Sequence, residues 1–310
     1  MNISVIGSVF VDHKAYPYGK FIPDGRNSGY DIQVYGGVGR NIAQNISHIG
    51  IDTDFISLVD DSGTGEDIIS SLNDSRVKTR FVKKAKQGMG KWIAVFNESG
   101  DVAASISVRP ELKGIADIID ENHEAIFGNS KGVILEADID DDAVQRTFFY
   151  ARKYGVKVYC VVSVMEVLLK MIHLLKGAEC FVCNLQEAEM MFNASFEKLD
   201  NTELAKYISS NISKTGFNKL IVTRSEKGAV YCDLSGDFGV CPAEEADLVD
   251  STGAGDAFAS GAFAALINGK TLAEACHIGA VTAAYVISDK NNVCPDFKCD
   301  KFGLNGSGDN

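Results

Sequence analysis

The chain has 310 residues, 45% hydrophobic and 23% charged, which suits one large α/β domain or one domain with a small appendage. Its 42 acidic against 30 basic side chains give a formal charge of −12, which repels nucleic acid phosphates; the densest basic cluster, Lys83, Lys84 and Lys86, has no interleaved aromatics and is expected to be a solvated loop. No run reaches the roughly 18 apolar residues of a membrane span and the first residues lack a basic leader, so the expected setting is cytoplasmic, with neither nucleic acid nor membrane as partner.

Apolar segments of strand length alternate along the chain with segments of helical period. Residues 3–7 are the first expected strand. Residues 12–27 are rich in Tyr, Pro, Gly and Lys, and 30–35, where Ile32 and Val34 alternate with polar neighbours, break the rhythm as a half-buried antiparallel strand. A helix over 40–49 puts Ile42, Ile46 and Ile49 on one face and stops at Gly50. A strand over 53–59 and a helix over 66–72 follow. Residues 91–108 read as a hairpin whose tip is Asn97, Glu98, Ser99, Gly100 and Asp101. The βα rhythm resumes with a strand (132–136), helix (143–154), strand (156–161) and helix (164–175). Strands over 179–183 and 219–223 and helices over 254–267 and 272–288 close the chain. This order predicts α/β architecture over residues 1–300: a mostly parallel central sheet with helices on both faces, and a small β-sheet lid from about 12–35 and 88–108. Residues 301–310 are expected to be a loose tail.

The most informative stretch is Asp250-Ser251-Thr252-Gly253-Ala254-Gly255-Asp256-Ala257-Phe258, just before and into the helix over 254–267. Small residues let backbone N–H groups approach an anion, and the helix start adds partial positive charge. Asp256, in the first turn, would face the same pocket. A glycine turn that stabilises a moving phosphoryl group, beside a carboxylate that takes a proton from a hydroxyl, suits phosphoryl transfer. A glycine-rich turn with a helix-start acid is also a common structural feature.

The stretch resembles the second signature of the ribokinase-like (PfkB) carbohydrate and nucleoside kinases, with Ser251 where threonine is usual. The resemblance implies an ATP-dependent phosphotransferase acting on a small sugar or nucleoside, a three-layer α/β/α fold with a β lid, an anion hole from Gly253, Ala254 and Gly255, and Asp256 as base. The family's first signature is matched by Gly36-Gly37-Val38-Gly39-Arg40-Asn41-Ile42-Ala43, which implies Gly36, Gly37 and Asn41 as substrate ligands; Asn41 offers a donor and an acceptor to paired hydroxyls. Asp12 inherits the role of a sugar-hydroxyl ligand. Asn184 and Glu187 match an N-x-x-E element that supports the phosphates and hydrated Mg²⁺, although Glu187 equally reads as a capping acid. Thr223 and Gly228 match a nucleotide-binding segment. Asp250 and Thr252 match two ligands of a monovalent cation, with the rest supplied by the loop over 287–295. The resemblance also implies a homodimer through the lid, and it runs from about Ile3 to Phe297. The first-signature wording, continuing from Asn45 to Gly50, with Val162-Ser163-Val164, is most similar to pseudouridine kinases, so the expected reaction is pseudouridine to pseudouridine 5′-phosphate. Another nucleoside, or a ketose or aldose sugar, is the alternative. A sugar- or nucleoside-binding regulator of the same fold is the rival, and an intact Asp256 argues against it.

Other motifs are set aside. Cys180 and Cys183 have CxxC spacing, but no second ligand pair completes a zinc site, and the eight cysteines read as reduced core residues. Ala264 to Thr271 nearly matches a P-loop, yet its first glycine is Ala264 and a helix precedes it. Gly37-Val38-Gly39 lacks the third small residue of a dinucleotide fingerprint. The five histidines are isolated, without a hydrolytic triad. The acidic run over 136–142 is expected to combine a strand end with helix-start acids.

Overall fold

The computed structural model describes residues 2–296 and 299–304. In chain order the first elements are β1 (Asn2–Ile6), β2 (Phe10–Pro17), β3 (Gly29–Gly36), α1 (Val38–His48), β4 (Asp52–Asp60), α2 (Gly63–Asp74) and β5 (Val77–Ala85). There follow β6 (Gly90–Phe96), β7 (Val102–Val108), α3 (Gly114–Phe127), β8 (Gly132–Glu136), α4 (Asp141–Tyr154), β9 (Val158–Val161) and α5 (Met165–Met171). The rest comprises β10 (Cys180–Asn184), α6 (Leu185–Phe192), α7 (Asn201–Asn211), β11 (Lys219–Thr223), β12 (Ala229–Asp233), β13 (Phe238–Cys241), α8 (Ala254–Ile267) and α9 (Leu272–Ile287).

The large sheet has nine strands in the order β13-β12-β11-β10-β9-β8-β1-β4-β5. From β11 to β5 all neighbours run parallel, while β12 and β13 add an antiparallel edge. Because parallel strands are joined by crossing helices, both sheet faces are covered, giving three layers. One face carries Phe127, Phe148, Phe181 and Phe217 from the side of α3 to α7; the other carries Ile42, Ile46, Phe258 and Phe263 from α1 and α8. β1, an interior strand between β8 and β4, is buried at Ile3, Val5 and Ile6, which alternate between these two cores. Cys180 belongs to one core and Cys183 to the other, on opposite faces of β10. Their spacing therefore makes no shared ligand pair.

Helix starts follow local chemistry. Asn184 with Glu187, Asp200 with Glu203, and Thr271 with Glu274 form reciprocal capping boxes at α6, α7 and α9. Asp140 caps α4, and Gly155 ends it in the left-handed region.

A separate four-stranded sheet has the order β3-β2-β6-β7, with β2 and β6 parallel and the outer pairs antiparallel. It is made from the irregular stretches over 12–35 and from the hairpin over 91–108. The basic cluster departs from expectation: Lys83 and Lys84 lie in β5, an edge strand. Lys83 pairs with Glu121, and Lys84 with Asp61 and Glu66. Charged side chains on an edge strand discourage pairing with another chain, which is why this strand is hard to tell from a loop by composition. Residues 301–304, expected to open a loose tail, are instead structured. Cys299–Phe302 form a short 3-10 turn, and Leu304 is buried in the core beside α1 and α8; residues 305–310 lie outside the described residues. Among the described residues no helix is long and apolar enough to cross a membrane.

Candidate active site

The carboxyl ends of the parallel strands form one rim, and the small sheet stands over part of it. Between them lies a cleft of about 580 Å³ lined by Asp12, Gly37, Asn41, Asp250, Thr252, Gly253 and Asp256, with Glu136, Ser163 and Val164 also on its wall. Ligands in parallel α/β sheets bind at this edge because the strands deliver side chains and helix starts to it. Sequence positions 12 and 256 thus meet in one cavity.

Gly253 opens α8 in the left-handed region at φ 82°, where a Cβ would sit 2.2 Å from the Asn292 carbonyl oxygen. No larger residue fits that turn. Ala254 and Gly255 form the first turn behind it, and the space a Cβ would take at Gly255 is open to 4 Å. Backbone N–H groups at this helix start are suited to an anion. Asp256 follows in the same turn. Asn41 Nδ2 donates to Asp256 Oδ2 at 2.8 Å. Burial pushes the Asp256 pKa up to about 6, against the Asn41 bond, which lowers it.

Gly36 ends β3 and Gly37 precedes α1 at φ 101°; a Cβ at Gly37 would meet Phe10 N and Ser8 O at 2.8 Å. Asp12, on β2 beside Gly36, has its pKa raised by burial, partly offset by Lys14, His13 and Arg40. Sequence reasoning missed what fixes this corner. Glu136, 2% exposed at the end of β8, accepts from Ser8 N at 2.7 Å, Gly39 N at 3.0 Å and the Ser8 hydroxyl at 2.8 Å. Burial and the charge of Asp138 push its pKa up to about 7. Asp138, fully buried, accepts from Ser163 N at 2.8 Å, Ser163 Oγ at 2.9 Å and Val164 N at 3.0 Å, and Arg109 Nη2 lies 3.3 Å from it. The acidic run is therefore split. Asp140 and the two residues after it serve the α4 start as expected, while Glu136 and Asp138 organise the cleft wall. Their place at a strand's carboxyl end was the available signal.

Asn184 and Thr223 pair in register at the ends of β10 and β11, outside the cleft volume but along the same rim. Asn184 caps α6 by accepting from Glu187 N at 2.9 Å, and Glu187 accepts from Asn184 N at 2.7 Å. The capping-acid reading of Glu187 is the one this geometry shows. Burial raises its pKa to about 7, with the charges of Asp138, Asp256 and Glu166 adding to the rise. Gly228, in the turn from β11 to β12, accepts from Arg224 N at 2.7 Å. Arg224 is itself buried, donating to Asn201 and to the Leu199 carbonyl.

Among the described residues no group of three or more His, Cys, Asp or Glu side chains makes a metal cage. Mg²⁺ does not need one, since it keeps several waters and takes one or two carboxylates plus substrate phosphates. Glu187, crowded by other carboxylates, fits that use. The monovalent cation finds less support. Asp250 Oδ1 accepts from Thr252 N at 2.8 Å, Asp289 Oδ1 turns onto the N–H groups of Lys290 and Asn291, and the Ile287 carbonyl already receives Val249 N and Asp250 N.

The cleft's upper wall is aromatic, another feature not singled out from the sequence. Tyr16 stacks on Phe96 at 4.6 Å between ring centres, and Trp92 meets Phe96 edge-on at 6.3 Å. Phe10, Tyr16, Trp92 and Phe96 all line the cavity. Their alternate spacing on β2 and β6 was the legible sign.

The sequence pattern of pfkB family carbohydrate kinases matches residues 1–295. The chain is 32% identical to guanosine-inosine kinase of Exiguobacterium acetylicum over 301 residues, covering 95% of this chain and 97% of that protein. It is 24% identical to pseudouridine kinase of Escherichia coli (strain K12), covering 95% and 93%. The structure of Arabidopsis thaliana ribokinase complexed with ribose and ATP superposes with a TM-score of 0.81 at 20% identity, covering 97% of each chain.

Proposed function

The chain belongs to the pfkB family of carbohydrate kinases, a sugar or nucleoside kinase in its chemistry, and we propose that its acceptor is a purine nucleoside whose 5′-hydroxyl receives the γ-phosphoryl group of ATP. The observation that carries the reading is the Asn41–Asp256 bond at the floor of an aromatic-walled cleft. Asp256 takes the proton of the acceptor hydroxyl, and its raised pKa brings its basicity closer to what the step needs. The N–H groups of Gly253, Ala254 and Gly255 receive the charge that grows on the moving phosphoryl group. Asp12, Gly36, Gly37 and Asn41 hold the sugar hydroxyls, and Trp92 and Phe96 offer faces to a base. Asn184, Thr223 and Gly228 serve the nucleotide side. Glu187 would hold Mg²⁺ through water, which would neutralise phosphate charge. The small sheet acts as the lid that excludes water.

Inosine and guanosine rank ahead of pseudouridine because the 32% relationship outweighs the 24% one, although the Gly36 to Ala43 wording favours the second. ADP release measured with inosine, guanosine, pseudouridine, adenosine, ribose and fructose tests the order. Turnover with ribose or fructose alone overturns the nucleoside reading.

For the outer face of the lid, opposite the cleft, the proposed cover is a second copy of the chain. Ile93, Ile106 and Val108 there are 43%, 65% and 47% exposed. Sedimentation of an Ile106→Lys variant tests it: a concentration-independent monomer for wild type and variant alike removes the dimer. The cytoplasm, rich in ATP and reducing toward thiols, is the proposed compartment.

A further inference from the structure

Asn41 has to present a donor, not an acceptor, to Asp256. An asparagine amide is nearly symmetric in shape, so its polarity is set by whatever surrounds it. Here Asn41 Oδ1 lies 3.2 Å from Arg40 Nη1 and 3.3 Å from Asn292 Nδ2. Both of those donors also converge on the Tyr35 carbonyl, Arg40 Nη1 at 2.8 Å and Asn292 Nδ2 at 3.0 Å. An arginine has no acceptor, so a flipped Asn41 would set NH₂ against two donors and its oxygen against the Asp256 carboxylate. Arg40 is only 5% exposed, and its Nε has no partner among the described residues. Burying a guanidinium so incompletely satisfied is costly, and its gain here is a fixed donor beneath Asn41.

Asn292 adds a connection that Arg40 lacks. Its carbonyl oxygen packs against Gly253, the turn that opens α8. One residue of the loop after α9 therefore touches both the asparagine that meets Asp256 and the glycine turn proposed to receive the phosphoryl group. Cys294 N extends the attachment by donating to Asn45 Oδ1 at 2.7 Å, one helical turn beyond Asn41.

We propose that Asn292, backed by Arg40, is a positioning residue for phosphoryl transfer: it locks the Asn41 amide with NH₂ toward Asp256 and ties that orientation to the Gly253 turn. Resting on the reading of Asp256 as base, this leaves Oδ2 of the carboxylate engaged and Oδ1 free of protein donors among the described residues, ready for the acceptor hydroxyl.

The test compares Asn292→Ala, Asn292→Ser and Asn292→Asp in the full chain, with kcat, both KM values, the pH profile of kcat/KM and the melting temperature. Asn292→Asp is nearly the same shape but turns a donor into an acceptor, drawing the Asn41 NH₂ away from Asp256. It is expected to lose roughly 10- to 100-fold in kcat, with little change in KM for ATP. Its acid limb should move to higher pH, from the lost donor and the added carboxylate charge together; a smaller move in the same direction in Asn292→Ala, which adds no charge, reads the donor alone. Asn292→Ala, which leaves Arg40 in place, should lose less, and Asn292→Ser should lie between Ala and wild type. The other charged groups of the site, Asp12, Lys14, Glu136, Glu187, Asp250 and Arg40, are unaltered in these variants. Activity that falls only in step with melting temperature, with an unmoved acid limb, marks loop packing and overturns the proposal, as does wild-type kcat in Asn292→Asp. Asp256→Asn measured alongside separates the two claims. If it is inactive while the Asn292 variants behave as wild type, only the positioning role falls; if it retains turnover, the base assignment falls.

Discussion

Asn41 Nδ2 and Asp256 Oδ2 meet at 2.8 Å although 215 positions separate them, so the start of α1 and the start of α8 share one hydrogen bond at the floor of the cleft. Asp256→Asn removes the proton acceptor while keeping the shape. Turnover should fall by roughly 10²- to 10⁴-fold with nucleoside affinity largely kept. The same variant should melt at a higher temperature at pH 7, because the native state there holds a half-buried carboxylate whose pKa lies above its unfolded value. For such a group, stability is present below the unfolded pKa, near 3.8, and is lost as pH rises through about 6. Differential scanning calorimetry with steady-state kinetics checks both.

Turnover has its own pH window. Asp256 must be ionised to act, so kcat/KM should decline as pH falls through about 6. Asn41→Leu removes the bond that lowers this pKa, and the acid limb should shift upward. A pH-rate profile whose limb stays put in that variant would show that another group titrates.

Glu136 should tolerate glutamine and reject alanine. Its carboxylate satisfies Ser8 N, Ser8 Oγ and Gly39 N in a buried corner, and a glutamine oxygen can still accept from the two N–H groups. Glu136→Ala leaves them unpaired, which costs on the order of 1–3 kcal/mol. Urea unfolding should place Glu136→Gln close to wild type and Glu136→Ala clearly below it.

Trp92→Ala tests the aromatic wall. Loss of a stacked base is worth about 1–3 kcal/mol, so KM for the nucleoside should rise roughly tenfold or more while KM for ATP stays within twofold. Equal effects on both substrates would place the indole in lid packing instead.

Much of this arrangement was legible beforehand because its signals are local. The βα rhythm gave the parallel sheet, and the glycines at 37 and 253 mark turns that accept no side chain. What escaped depends on contacts between distant segments. Glu136 reads as a strand-end acid until Ser8 and Gly39, 128 and 97 positions away, are folded onto it. Asn292 carries no local pattern at all; its meaning comes from Asn41 and Tyr35. β5 escaped because lysines hide an edge strand, and Trp92 because a hairpin says nothing of what its inner face covers.

The division of the core by the sheet has a practical consequence for following the molecule in solution. The described cysteines are buried thiols, distributed on both faces, and burial raises the pKa of Cys160, Cys180, Cys183 and Cys276 alike. An alkylating reagent meets neither exposure nor thiolate until the layers part, so in a Cys299→Ser background the labelling rate becomes a clock for opening, read separately on each side of β10 through Cys180 and Cys183.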